Sequence, residues 1–327
     1  MLASPGEEVV REPEQATGDQ PAHDRTRAGK GSEYCPPPGR PRHRGWRAAQ
    51  LPSAPEKPVP VGNAPPGNGE AMKLAISGKG GVGKTTLSSL LAIELAGRGF
   101  RVTAIDADPN PSLATMLGLP PGRVPSLLDL RDEIEARVGG AGGFIRLNPR
   151  VDDLVERLAV THRGVQLIVA GAISRGGGGC ACPQSVLLRR LLDHLVLDRD
   201  EAIIVDLEAG LEHLGRRSAQ AADALLVVVD PSRGSLDTAG RIRRLAAEIG
   251  VSQVLAVANR IRSEADLAYV HAHLGDLPLV ASIPYSTALA EGERHGSETT
   301  ERDPAAADAV AGLTDELESR RGWRVGA

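Results

Sequence analysis

The chain has 327 residues, a net charge of −4 and a 41% share of hydrophobic residues, which is enough apolar material for one large α/β domain. The slightly acidic balance argues against a general binder of nucleic acid. No apolar run approaches the roughly 18 residues of a membrane span, and the N-terminus lacks the basic and apolar regions of a secretory signal. Three cysteines are too few for a disulfide framework, so a cytoplasmic protein is expected.

Residues 1–71 differ in composition from the rest of the chain. They hold more than half of its 24 prolines, show no apolar periodicity, and contain as many acidic as basic residues. Such a segment cannot bury enough apolar surface to offset its ordering entropy, which predicts a disordered extension. A folded domain is predicted over 72–327. Met72 stands one residue before the first strand and is a candidate for the true start, with a genuine flexible tail as the alternative.

Apolar runs alternate with amphipathic stretches from Met72 onward, which predicts an α/β fold with a doubly wound, mostly parallel sheet. Segments 186–195 and 236–249 have helical spacing. The apolar face of the second is predicted to hold Leu236, Ile242, Leu245 and Ile249, and Gly250 is expected to end this helix. The less regular residues 119–164 are expected to form short helices that cover the site. The predicted strands are Lys73–Ser77, Arg101–Asp106, Val165–Gly171, Ala202–Leu207, Ala224–Asp230, Val254–Asn259 and Leu279–Pro284.

A phosphate-binding loop follows the first predicted strand and precedes a helix. Its glycines allow backbone N–H groups to surround phosphates, and the helix N-terminus adds a positive end. Lys84 is expected to reach the β and γ phosphates of ATP and Thr85 to take a Mg²⁺ position. An ordinary glycine-rich turn is the alternative. The loop comprises Gly78, Lys79, Gly80, Gly81, Val82, Gly83, Lys84, Thr85 and Thr86.

The second lysine of this loop, Lys79, resembles the signature of the deviant Walker A ATPases, a class that includes MinD, ParA, ArsA and the nitrogenase iron protein. The resemblance implies a MinD-like P-loop fold of the SIMIBI class. It also implies a homodimer in which Lys79 reaches the partner's nucleotide, much like an arginine finger supplied in trans. A solvated surface lysine is the simpler alternative.

Two acidic strand ends are expected beside the loop, where ligands bind to parallel sheets. Asp106 and Asp108 resemble the family's switch I, which implies that Asp108 orients the attacking water; a helix cap near Ser112 is the alternative. The segment ending at Asp206 resembles Walker B. This implies that Asp206 holds Mg²⁺ through water and that the Gly210 N–H senses the γ phosphate.

Two later strand ends match the family positions that contact adenine. Asn259 ends one strand and is expected to hydrogen-bond the base, although an amide at a strand end is often only a turn former. Pro284 ends the next strand, and the backbone after it is expected to lie against the base.

Cys180 and Cys182 follow four glycines and begin a helix, with Pro183 suited to its first turn. Thiols near a helix N-terminus have lowered pKa values and are good metal ligands. Two such pairs related by a two-fold axis supply four thiolates, a site for Zn²⁺ or Ni²⁺. Two unreactive small residues and a redox disulfide are the alternatives.

The cysteine motif GGGGCACPQSVLLRRLL and the segment VDLEAGLEHLGRR resemble CooC-type ATPases, as do VDPSRGSLDTAGRI and PRVDDLVERL. The resemblance extends from Met72 to about residue 296. It implies a nucleotide- and metal-promoted dimer, with metal at the CxC pair and a role in nickel insertion into carbon monoxide dehydrogenase or a related metalloenzyme. The subfamily-specific polar residues are Glu208, Glu212, His213 and Arg216, which on their own predict a solvated face of the switch helix.

Two other classes of protein remain as alternatives. A spatial organiser of the MinD or ParA kind needs a membrane-binding amphipathic helix or a DNA-binding basic surface, and neither is predicted here. An electron donor like the nitrogenase iron protein would hold an iron–sulfur cluster between subunits, but its cysteines are far apart in sequence, unlike this adjacent pair. We therefore expect neither nucleic acid nor membrane as a partner.

Overall fold

The computed structural model describes residues 72–120, 124–138, 151–170, 190–191, 193–194, 202–208, 210–211, 222–295 and 303–320. Eight strands form one sheet in the order β3-β4-β2-β5-β1-β6-β7-β8. All neighbouring strands are parallel except β3 and β4. The strands are β1 Lys73–Gly78, β2 Val102–Asp106, β3 Val160–His162, β4 Val165–Val169, β5 Ala202–Asp206, β6 Ala224–Val229, β7 Val254–Ile261 and β8 Leu279–Pro284.

Helices cover both faces of this sheet, as predicted for a doubly wound fold. Within the described residues they are α1 Lys84–Gly97, α2 Leu113–Met116, a 3-10 helix Leu127–Leu130, α3 Arg131–Val138, α4 Asp152–Leu158, α5 Arg233–Ile249, α6 Glu264–His273, α7 Thr287–His295 and α8 Pro304–Arg320. Helices α1, α2, α7 and α8 pack on one face. Helices α3, α4, α5 and α6 pack on the other.

The side chains of each central strand point alternately to the two faces, because successive residues of a strand alternate in direction. In β1, Leu74 and Ile76 join the core under α1, whereas Ala75 joins the core under α5. Every residue of β6 is buried, which explains its uninterrupted run of Ala, Leu and Val. Most of the core is aliphatic, as the composition predicts.

The seven predicted strands are confirmed, with ends that differ by one or two residues where the structure describes them. Gly250 ends α5 in the left-handed conformation (φ 82°), also as predicted. Of the predicted helix at 186–195, Leu191 is helical and buried, and most of the remaining residues lie outside the described residues.

The predicted apolar face of α5 is wrong at one residue. Leu245 is 42% exposed, because the buried stripe runs through Leu236, Ala239, Ile242 and Ala246. Their spacing of three, three and four residues turns Leu245 out to solvent.

Strand β3 was not predicted. It forms a hairpin with β4 through Arg163 (φ 51°) and Gly164 (φ 77°), a two-residue turn with positive φ at both positions. Three residues are too short to produce a readable alternating pattern. The adjacent α3 and α4 confirm that short helices occupy part of 119–164, and they lie on the same face as α5.

Candidate functional site

The loop of residues 78–86 joins β1, the central strand, to α1. Gly78 has φ 152°, and a Cβ there would lie 2.4 Å from the Val228 carbonyl oxygen of β6. Gly83 has φ 95°, and a Cβ there would lie 2.3 Å from Asn259 Nδ2. Both positions therefore require glycine for conformation and for space. The loop packs closely against the neighbouring strands and exposes its glycine backbone above them.

The two lysines of the loop differ in environment. Lys84 begins α1 and is 7% exposed, and its Nζ lies 3.5 Å from the Lys79 carbonyl oxygen. Lys79 is exposed, and its ammonium lies beside Gly234 at the start of α5, 2.9 Å from where a Cβ on that glycine would stand. An ammonium gains nothing from the positive N-terminal end of a helix. Lys79 is therefore an exposed cation at the rim of the loop, whereas Lys84 is buried inside it.

Asp206 ends β5 next to the loop, in register with Ile76 of β1 and Asp106 of β2. It is 1% exposed, and neither of its carboxylate oxygens has a partner in full hydrogen-bonding geometry, although the Thr85 and Ser88 hydroxyls lie near it. Burial raises the pKa of Asp206 to about 7, helped by the charge of Asp106 and offset in part by the Thr85 hydroxyl and the Lys84 ammonium. A buried carboxylate without partners is costly unless a cation binds it.

This arrangement fits the Mg²⁺ that accompanies a nucleoside triphosphate. Magnesium at such sites takes one or two protein oxygens and completes its shell with phosphate and water. The Thr85 hydroxyl would supply such an oxygen directly, and the Asp206 carboxylate would hold the ion through water. No group of three or more His, Cys, Asp or Glu side chains suited to another metal occurs among the described residues.

Asp106 is fully buried and acts as the helix cap that the sequence had suggested for Asp108. Its Oδ2 accepts hydrogen bonds from the backbone N–H groups of Ser112 and Leu113, both at 2.9 Å, and Oδ1 accepts one from Asp108. Burial raises the pKa of Asp106 to about 6, against the lowering effect of these three bonds. Asp108 is partly exposed, and its Oδ1 accepts a hydrogen bond from the Asn110 N–H at 2.8 Å.

The segment after β5 is tied to β1 through Ser77, which sequence reasoning missed. The buried Ser77 hydroxyl donates to the Gly210 carbonyl oxygen at 3.2 Å and approaches that of Glu208 at 3.4 Å. The Gly210 N–H, predicted to sense a γ phosphate, donates to the Glu208 carbonyl oxygen at 2.6 Å. A polar residue immediately before the first loop glycine, in an otherwise apolar strand, was the available signal for Ser77.

Asn259 joins the distal strand β7 to the phosphate loop. Its Nδ2 donates to the Val82 carbonyl oxygen at 2.8 Å, and its Oδ1 accepts from the Arg260 N–H at 2.9 Å. Asn259 is 8% exposed. Its adenine contact stays a prediction, and the structure gives it a second task, which is to anchor the loop. Pro284 lies at the end of β8, the strand next to β7.

The candidate metal residues Cys180 and Cys182 lie outside the described residues, as do Glu212, His213 and Arg216. The phosphate loop, the two buried carboxylates and Asn259 do come together, at the carboxyl edge of strands β1, β2, β5 and β7. A glycine loop before a helix, a buried lysine and a partnerless carboxylate define a P-loop nucleotide-binding domain.

Comparison with known proteins agrees with this geometry. The family model "CobQ/CobB/MinD/ParA nucleotide binding domain" matches residues 73–299, and the chain belongs to that family. It is 37% identical over 257 residues to the carbon monoxide dehydrogenase accessory protein CooC of Rhodospirillum rubrum, covering 77% of this chain and 98% of that protein. The resemblance to CooC-type ATPases is thereby confirmed.

Two further proteins agree with membership of this nucleotide-binding family. An uncharacterised ATP-binding protein of Methanocaldococcus jannaschii is 45% identical over 197 residues, covering 59% of this chain and 76% of its own length. The cell division protein MinD of Aquifex aeolicus superposes with a TM-score of 0.56 at 25% identity, covering 76% of this chain and 97% of MinD. Among the described residues, no helix is both long and apolar enough to cross a membrane.

Proposed function

We propose that the protein is a dimerising, Mg²⁺-dependent ATPase whose nucleotide cycle serves the maturation of a nickel enzyme. The single observation that carries the ATPase part is Asp206, a buried carboxylate without a partner beside a loop shaped for phosphates. Its charge is stabilised when a cation joins it to a bound nucleotide. Magnesium, when bound by Asp206 and Thr85, neutralises charge on the phosphates.

Several residues of the chain have separate roles in ATP hydrolysis. Loop N–H groups and Lys84 hold the phosphates, and Asp108, which is partly exposed, orients the attacking water. Lys79, exposed and lying beside Gly234, swings to the nucleotide of a second protomer in a face-to-face dimer. Movement of Gly210 from its Glu208 partner toward the γ phosphate couples hydrolysis to the following segment.

The maturation role is inferred from the resemblance to CooC and from the cysteine pair. Cys180 and Cys182 of two protomers form a four-thiolate site for Ni²⁺ or Zn²⁺ across the dimer axis. The client is carbon monoxide dehydrogenase or a related metalloenzyme. Closure of the dimer on ATP brings the two pairs together, and hydrolysis separates them.

Metal binding by the full-length chain tests this role. Ni²⁺ and Zn²⁺ are titrated with nucleotide present into the wild type and into the Cys180→Ala/Cys182→Ala variant, with mass in solution measured in parallel. About one tightly bound ion per two protomers, lost in the variant, is expected. The Cys35→Ala variant is the matched control and should bind as the wild type does. Equal binding by all three proteins would refute the shared thiolate site.

A further inference from the structure

A cleft of about 770 Å³ lies between α5 and the carboxyl end of α6. Its floor is apolar, because Leu236 and Leu274 line it and both belong to the core under these helices. Gly240 and Gly275 also line the cleft, and a Cβ built on either would meet nothing within 4 Å. The floor is therefore smooth and has open space above it. None of the residues assigned to ATP hydrolysis lies in this cleft.

The rim of the cleft is basic. Three arginines and one aspartate line it, a surplus of two positive charges. Arg243 pairs with Asp276 at 3.0 Å, but Arg241 and Arg244 have no acidic partner within the part of the chain that the structure describes. Arg241 is held by a neutral group, since its guanidinium donates to the Thr238 hydroxyl at 3.0 Å. Both unpaired guanidinium groups are exposed, and we call the whole site the basic cleft.

The chemistry of the basic cleft fits carboxylates attached to aliphatic side chains. A guanidinium group binds a carboxylate through two parallel hydrogen bonds, and the apolar floor offers a surface for an aliphatic group. Pockets for small ligands bury most of the ligand surface, whereas this cleft is lined mainly by exposed side chains. A segment of a larger protein loses less by this openness, because it makes further contacts around the cleft.

Other occupants fit the charges less well. Nucleic acid needs a long basic track along its phosphates, whereas here Asp237 and Asp276 interrupt the arginines and the chain as a whole has a net charge of −4. A second copy of this chain that docked through the same patch would bring arginines against arginines, because a two-fold axis pairs a surface with itself.

We propose that the basic cleft is a docking site for an acidic segment of another protein, one that also carries aliphatic side chains. The site lies on the helix that begins beside the phosphate loop. Gly234, in the first turn of α5, lies next to the Lys79 ammonium, and Asp237 of the cleft follows three residues later. The inference goes beyond the proposed ATPase, since docking at the cleft needs no nucleotide.

The test measures binding of a short labelled peptide of glutamate and leucine to the full-length chain by fluorescence anisotropy. A peptide with glutamine in place of glutamate is the control ligand. Arg241→Ala/Arg244→Ala should weaken the glutamate peptide about tenfold, and raising the salt from about 0.05 M to about 0.3 M should weaken it in the wild type. Gly240→Leu keeps every charge but fills the floor, and it should weaken the peptide about fivefold.

The matched control variant is Arg101→Ala/Arg320→Ala, which removes the same charge away from α5 and should bind the peptide as the wild type does. Equal binding of the two peptides by the wild type, or equal losses in the two double variants, would overturn the inference. Full affinity in Gly240→Leu would also overturn it, because only general attraction to positive charge would remain. If Arg241→Ala/Arg244→Ala loses binding to phosphatidylserine vesicles but not to the peptide, a lipid surface is the occupant and the inference is wrong.

Binding of ATP with Mg²⁺ separates this inference from the proposed function. Both cleft variants should bind ATP as the wild type does, since the cleft contains no residue of the phosphate loop. Failure of the wild type to bind ATP would refute the proposed function alone, whereas the peptide measurements would still decide the role of the cleft.

Discussion

Replacing the buried carboxylate of Asp206 by an amide should stabilise the nucleotide-free protein near pH 8 while removing Mg²⁺-dependent nucleotide binding. The pKa of Asp206 lies near 7 in the folded state, against 3.8 for an ordinary aspartate. Between these values the folded state holds more protons than the unfolded state, so stability falls as pH rises from about 4 to about 7. At 1.36 kcal/mol for each pKa unit, about three units amount to roughly 4 kcal/mol lost by pH 8.

Asp206→Asn removes this pH dependence because an amide does not ionise. About 2 kcal/mol of the loss is already present at pH 5, so the variant should gain roughly 2 to 3 kcal/mol on the wild type between pH 5 and pH 8. A constant cost of about 1–3 kcal/mol for the buried amide cancels in this comparison. Asp237→Asn, on the exposed surface of α5, is the matched control and should show no such trend.

Urea unfolding at the two pH values, in EDTA and without nucleotide, measures the effect. Adding Mg²⁺ and ADP at 100 times the dissociation constant should then stabilise the wild type by about 2.7 kcal/mol and the variant by far less. A stability difference between Asp206→Asn and wild type that is independent of pH would refute the argument. It would mean that Asp206 is not an uncompensated buried charge.

Two further predictions concern the framework around the site. Gly83→Ala forces a side chain into the left-handed region against Asn259, so we expect a loss of more than about 1–2 kcal/mol in urea unfolding, with weakened ATP binding. Gly240→Ala, in open space within α5, is its control and should be neutral or stabilising by up to about 1 kcal/mol. Arg98 follows the last residue of α1 and donates hydrogen bonds to Asp315 and to the Ala311 carbonyl oxygen of α8, so Arg98→Ala should lower the free energy of unfolding by about 1–2 kcal/mol. Arg243→Ala, at a more exposed ion pair, is the control and should lower it by under about 0.5 kcal/mol. Equal losses for Arg98 and Arg243 would contradict the role given to Arg98 in holding α8.

Most of the fold could be predicted because its strands are long, apolar and buried on both faces. A run such as Ala224–Val229, apolar throughout and flanked by predicted helices, predicts a strand that is buried on both faces. The hairpin at Arg163 and Gly164 could not be predicted, since its strand is three residues long and its turn uses an arginine where glycine or asparagine is usual. The exposure of Leu245 could not be predicted either, because the spacing of apolar residues in a helix does not determine which of two neighbouring stripes faces the core.

The phosphate loop could be located from sequence because its chemistry requires glycines and a lysine at fixed spacing. The sequence did not show which of the two neighbouring carboxylates caps the helix. Asp106 and Asp108 are two residues apart, yet Asp106 is buried and caps α2, whereas Asp108 is partly exposed and accepts from the Asn110 N–H. The anchoring role of Asn259 was equally hidden, because its partner Val82 is 177 residues away in the chain.

The central claim is that Lys79 acts on the nucleotide of a second protomer, and a mixing experiment tests it most directly. Lys79→Ala and Asp108→Asn are each expected to lack ATP turnover as homodimers. In a mixed dimer, the site of the Lys79→Ala protomer keeps its own Asp108 and receives Lys79 from the partner. An equal mixture should therefore recover about a quarter of wild-type turnover, since half the dimers are mixed and each has one complete site. Full turnover by Lys79→Ala alone, or no recovery on mixing when each variant still binds ATP and dimerises, would contradict the account.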